Sequence, residues 1–300
     1  MPNLNNVFQT YHPAVAFAFL ASATVLCMAA LHPAYVCLSL AGAFACSCVT
    51  RGACVSALSL RWIIPLCLIV AAANPLFSAS GSTELFAIPL PDVGNGPVYR
   101  TVYLESVLYG LCAGGMFAAV FLWFASYSAC MTSENFMALF GNVAPVVAFM
   151  VSQVLRLVPQ FVKRGRAIAQ VQDAASAAAP QGKREEAAGR MRIVNVLMGW
   201  GMEDGLERSQ AMRARGYGCG VKRTTYRRFR FGRMDAALLA AILSLAVLNA
   251  ALMYVAVSQF SFYPVMSTLV SWWGYACYAA FLAIPVILHA KEWWQWKSCR

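Results

Sequence analysis

Six stretches of this chain are long, apolar and nearly free of charge: Ala14 to Leu31, Ala34 to Val49, Trp62 to Phe77, Leu104 to Tyr127, Ala236 to Val257, and about Val265 to His289. Crossing a bilayer takes about 20 apolar residues at ~1.5 Å each. In hydrocarbon every backbone polar group must be satisfied within the segment, so such runs fold as helices. The pattern predicts an all-α polytopic membrane protein with about six transmembrane helices. Charge agrees: only 12% of the residues are charged, against about 25% in soluble domains. His32-Pro33 breaks the first run from the second, and Pro65 lies inside the third, where neighbouring helices can satisfy the freed carbonyl. Gly110, Gly114 and Gly115 give the fourth run a small-residue face for close helix packing. Glu105 stands at its start, an interfacial position where a carboxylate costs little. Trp293, Trp294 and Trp296 follow the sixth run as an interfacial anchor.

The net charge of +11 is concentrated in one place. Between Arg156 and Arg233 lie 17 of the 23 basic residues and 6 of the 12 acidic ones, which accounts for all of it. Basic loops mark the cytoplasmic side of a membrane protein. Arg51 and Arg61, the Arg156–Arg233 segment, and Lys291, Lys297 and Arg300 then share one side, and with six spans both termini are cytoplasmic. The Gly- and Pro-rich loop from Ser78 to Tyr103, with Arg100 alone, faces outward. Met1 to Pro13 lacks the positive start of a cleavable signal. Three parts are expected: a four-span bundle over residues 1–127, a cytoplasmic segment over 128–233, and two spans with an interfacial tail over 234–300.

The cytoplasmic segment is periodic. Val147, Val151, Val154, Leu155, Val158, Phe161 and Val162 recur at steps of three and four, which predicts an amphipathic helix. Pro159 should kink or divide it, and helicity can continue to about Ala179. Pro180-Gln181-Gly182 is a turn. A second helix begins near Lys183, carries Met191, Val194, Leu197 or Met198, Met202 and Leu206 on one face, and runs to Arg215, with Gly216 as a natural C′ residue. The two apolar faces must be buried against each other or against the membrane surface. On pattern alone, Arg215-Gly216 is a helix C-terminal cap, with the cation favoured there by the helix dipole.

Few residues are equipped for chemistry. Most of the 11 cysteines lie in apolar runs, where they act as small hydrophobes, and Cys46-x-Cys48 has no His or carboxylate nearby to complete a metal site. His12, His32 and His289 stand at membrane edges and are expected to be interfacial, since a catalytic histidine needs partners within hydrogen-bond reach. No Gly-x4-Gly-Lys-Ser/Thr loop is present, and Gly216-x-Gly218-x-Gly220 follows no strand, so it is not a dinucleotide fingerprint. No cofactor and no metal are expected.

Ala211-Met212-Arg213-Ala214-Arg215-Gly216-Tyr217-Gly218, followed by Lys222-Arg223-Thr224-Thr225-Tyr226-Arg227-Arg228, resembles the second coupling helix of the transmembrane coupling subunit (EcfT) of energy-coupling factor transporters, the family that includes the CbiQ-type cobalt transport proteins. Leu155-Arg156-Leu157-Val158-Pro159 is similar to the start of that family's first coupling helix, and Asn74-Pro75-Leu76-Phe77 to the end of an early span. The resemblance runs in order from about Arg61 to Leu245. It implies a non-catalytic subunit of an ATP-driven importer for a vitamin or metal ion in a bacterial or archaeal cell membrane. Two ABC-type ATPases would bind the coupling helices, a small membrane subunit would capture substrate, and no nucleic acid takes part. Ala214, Arg215 and Gly216 would be the ATPase contact. Val151, Leu155, Val158, Val194, Leu197 and Met198 would face the substrate-binding subunit. The family's second arginine motif, at the end of the first coupling helix, falls here on Ala174-Ala175-Ser176. Either Arg166 makes that contact or the two helices grip asymmetrically.

Two functions from other classes stand beside this one. A membrane-embedded enzyme would need ionisable groups deep in the spans. A basic membrane adaptor without ATPase partners would bind anionic lipid or nucleic acid with steep salt dependence.

Overall fold

A computed structural model describes residues 11–77, 81–89, 99–140, 144–175, 182–220, 231–263, 267 and 272–298. They fold into helices α1 (Pro13–Ala29), α2 (Pro33–Arg51), α3 (Ala53–Phe77), α4 (Leu104–Cys130), α5 (Ser133–Phe140), α6 (Pro145–Ala175), α7 (Lys183–Ala214), α8 (Arg233–Gln259) and α9 (Gly274–Ser298). One antiparallel pair of strands, β1 (Glu84–Pro89) and β2 (Tyr99–Tyr103), completes the set. The chain divides into two compact units, Met1–Phe136 with Phe229–Arg300, and Met137–Arg228. Helices from both ends of the sequence therefore share the first unit.

The protein is all-α and has the character of a multi-pass membrane protein. Among the described residues, six helices are long and apolar enough to cross a membrane: α2, α3, α4, α6, α8 and α9. The expected first span, α1, has 17 residues and falls just short, while α6 joins the set. The third span starts earlier than its apolar run. The polar stretch between Arg51 and Arg61 is helical from Ala53 onward, and Ser56 and Ser59 satisfy their hydroxyls on the carbonyls of Gly52 and Val55 at 3.0 Å each. At the far end, α9 carries Trp293 and Trp294 within the helix rather than beyond it. The expected start of this span near Val265 lies outside the described residues, as do Pro180-Gln181 and the run Lys222 to Arg228.

Two His-Pro pairs open the first two helices. The imidazole Nδ1 of His12 accepts the N–H of Ala14 at 3.2 Å, and that of His32 accepts the N–H of Ala34 at 3.3 Å. Proline follows at the first helical position, where its missing N–H is not needed. The backbone N–H of His12 also donates to Asp235 Oδ1 at 3.3 Å, which ties the start of α1 to the start of α8. At the opposite end of the bundle, His32 packs on Phe260 after α8 and meets Tyr275 of α9, while Tyr109 of α4 stacks edge-on against Phe262. The helices of this unit thus run alternately up and down. Arg51, Arg233, Lys291 and Lys297 fall at the end where α1 and α8 begin, and Arg100 belongs to the strand pair at the other.

The core lies among α1, α2, α4, α8 and α9, around Phe19, Trp123, Tyr278, Phe281 and Ile242. Trp123 donates its indole N–H to Ser39 Oγ at 3.2 Å, so the buried indole is not left unpaired. The glycines of α4 pack as their spacing predicts. A Cβ on Gly110 would stand 2.6 Å from the carbonyl oxygen of Ala71, and one on Gly114 2.7 Å from that of Cys67. Backbone meets backbone there, and α3 turns much of its remaining surface outward, with Leu58, Trp62 and Ile69 more than half exposed.

Within the Ser78–Tyr103 segment, the described residues include two paired strands. Its two strands pair Ile88 with Arg100 and Glu84 with Tyr103, with an irregularity between Glu84 and Phe86. Glu105 is buried, and it accepts bonds from Ser82 Oγ (2.9 Å), Thr83 Oγ1 (2.8 Å) and Thr83 N–H (3.3 Å). These bonds replace its lost hydration and pin the strand pair to the start of α4.

Candidate interface on the long helical hairpin

The second unit is built on α6 and α7, 31 and 32 residues long. They pack antiparallel. Gln172 meets Gly189, Gly165 meets Leu197, the rings of Phe161 and Trp200 lie 5.3 Å apart, and Phe149 meets Tyr217 at 5.4 Å. Gly201 is required by this packing: a Cβ there would stand 2.6 Å from the Phe161 ring. The guanidinium of Arg164 sits 3.9 Å over the Trp200 ring, a cation–π contact. Arg208 ion-pairs with Asp204 at 2.6 Å and also bonds Gln160 across the pair. Pro159 neither divides α6 nor ends it. The helix runs through it to Ala175.

The expected faces divide between two roles. Leu197 is half-buried and packs on Gly165 within the pair. Val151, Leu155, Val158, Val194 and Met198 remain between 41% and 64% exposed, an apolar surface that no described residue covers.

The end of α7 is built as the sequence predicts. Arg215 is the cap residue (φ −84°, ψ 9°), and Gly216 turns left-handed at φ +80°. Gly216 N–H donates to the carbonyl of Arg213 and Tyr217 N–H to that of Met212, both at 3.0 Å. This is the Schellman pairing, which satisfies the last carbonyls without any side chain. The Arg215 guanidinium is therefore not needed to cap the helix. It is exposed, as are Ala214 and Gly216.

Other expected positions lie elsewhere. Arg166 is exposed on α6, level with Leu197, about 27 Å along the hairpin from Arg215 at ~1.5 Å per residue. Ala174 and Ala175, where the family resemblance expects an arginine motif, are exposed at the other end of the hairpin from Arg215, and Ser176 is outside the described residues. The Phe161–Arg164–Trp200 clasp and the Asp204–Arg208–Gln160 network were not anticipated. Gly199-Trp200-Gly201, an aromatic between glycines in a polar helix, was the available signal. Comparison of the chain with protein-family models, and with curated proteins, finds no match in either.

Proposed function

We propose that this chain is the transmembrane coupling subunit of an energy-coupling factor importer for a vitamin or metal ion, seated in a bacterial or archaeal cell membrane with both termini cytoplasmic. It would transmit movement from two ATPases to a separate substrate-binding membrane subunit and carry no catalysis of its own. One observation carries the reading: a helix of 32 residues ends in an exposed arginine whose cap is already complete without its side chain. A planar guanidinium so presented suits the carboxylates or carbonyls of a partner's groove.

The second contact, at Arg166 on α6, stands about 27 Å from the first, a separation suited to two partners rather than one. A stiff antiparallel pair can pass ATPase closure on as rigid-body movement. Val151, Leu155, Val158, Val194 and Met198 would offer the substrate-binding subunit an apolar face that adapts as it docks and leaves. Arg215→Ala is expected to weaken ATPase association by about 2 kcal/mol or more, as for an interface hot spot, and Arg215→Glu by more. Pull-down of the ATPases with each variant measures it, and normal assembly and transport by both would reject the role of Arg215.

A further inference from the structure

We infer that the exposed apolar side of the α6–α7 hairpin seats on an anionic membrane surface when no protein partner covers it. At about 100° of turn per residue, Val151, Leu155 and Val158 lie to one side of the line along which α6 meets α7. Because the two helices are antiparallel, Val194, Met198 and Met202 of α7 lie to the same side. They form one face two helices wide, each residue more than two-fifths exposed. Charge is segregated around it. Exposed Arg166 borders it on α6, and exposed Arg184 and Arg213 border it on α7. Glu185, Glu203 and Glu207 fall on the opposite side of α7. An apolar stripe rimmed by arginine is the pattern of a helix that lies in the headgroup region of anionic lipid.

Two further observations point to lipid. The segment Val146–Ala175 is apolar enough to enter a membrane, yet none of its most apolar stretch is buried in the protein. Residues 131–144 join α6 to α4, and residues 215–232 join α7 to α8, so both helices of the hairpin are tethered, at the same end, to helices that can span a bilayer. This inference rests on the face alone and does not require the ATPase partners.

The test uses the full chain, without other subunits, in nanodiscs of phosphatidylcholine with or without phosphatidylglycerol. A photo-crosslinker is placed by Met198→p-benzoylphenylalanine on the face, or by Glu203→p-benzoylphenylalanine on the far side, and adducts are identified by mass. Lipid adducts at position 198 that increase with phosphatidylglycerol, and are lost at high salt or with Arg166→Glu and Arg184→Glu combined, support the inference, with position 203 giving none. It is overturned by absence of lipid adducts at 198, by equal yields at 198 and 203, by indifference to phosphatidylglycerol, or by adducts between two copies of the chain.

Discussion

At Gly216 the backbone adopts φ +80° to close the Schellman turn. A side chain in that conformation costs about 1–2 kcal/mol, so Gly216→Ala should lower the stability of the hairpin by that order, measured by denaturant unfolding. His32 offers a different residue-scale test. Its Nδ1 accepts the Ala34 N–H, so Nε2 carries the proton in the neutral ring and donates to Tyr275 Oη at 3.3 Å. Burial pushes its pKa below the ordinary imidazole value. The unfolded chain takes up a proton near pH ~6.5, whereas the folded chain resists it. Stability from His32 is therefore complete above about pH 6.5 and lost as pH falls below it. His32→Asn keeps a capping acceptor that does not titrate. Thermal unfolding from pH 7.5 to 5 should be less pH-dependent in this variant than in the wild type, and an unchanged profile would reject the assignment. The sequence placed His32 at a helix break but not in a cap, because histidine is not among the favoured capping residues and only the next residue, a proline, hinted at one.

Elements arise from two kinds of signal, one legible in the sequence and one not. Apolar length and three-to-four spacing are properties of a single helix, so α4, α7 and α8 appear close to their expected bounds, and the Gly110–Gly114 face packs where its spacing places it. Partner choice is a property of pairs. Nothing in the spacing of α7 distinguishes Leu197, which packs on α6, from Met198, which does not, since they are neighbours on one broad face. The strand pair was hidden for a related reason: β1 and β2 are short, and the bonds that tie Ser82 and Thr83 beside them go to Glu105 on another element. Packing supplies the prediction at this scale. Gly114→Val would drive a side chain into the carbonyl of Cys67, and overpacking of this kind typically costs ~1–3 kcal/mol. Lower thermal stability in detergent is expected, while Gly205→Ala, with nothing within 4 Å of the added carbon, should be neutral or slightly stabilising through better helix propensity.

For the whole molecule, the division into an apolar bundle and a basic hairpin accounts for where the charge lies. The first unit can satisfy a bilayer, and the second concentrates arginine at a helix end and along the rim of an apolar face. Buried Glu105 belongs to the first unit, where it holds the strand pair to the start of α4. The central claim is that the hairpin couples this chain to ATPases. Purification of the tagged full chain from its native membrane in mild detergent tests it most directly. The account predicts two ABC-type ATPase subunits per chain in stoichiometric yield, lost with Arg215→Glu while the bundle remains folded. Recovery of the intact chain without any ATPase, or with ATPases retained equally by Arg215→Glu, would contradict it.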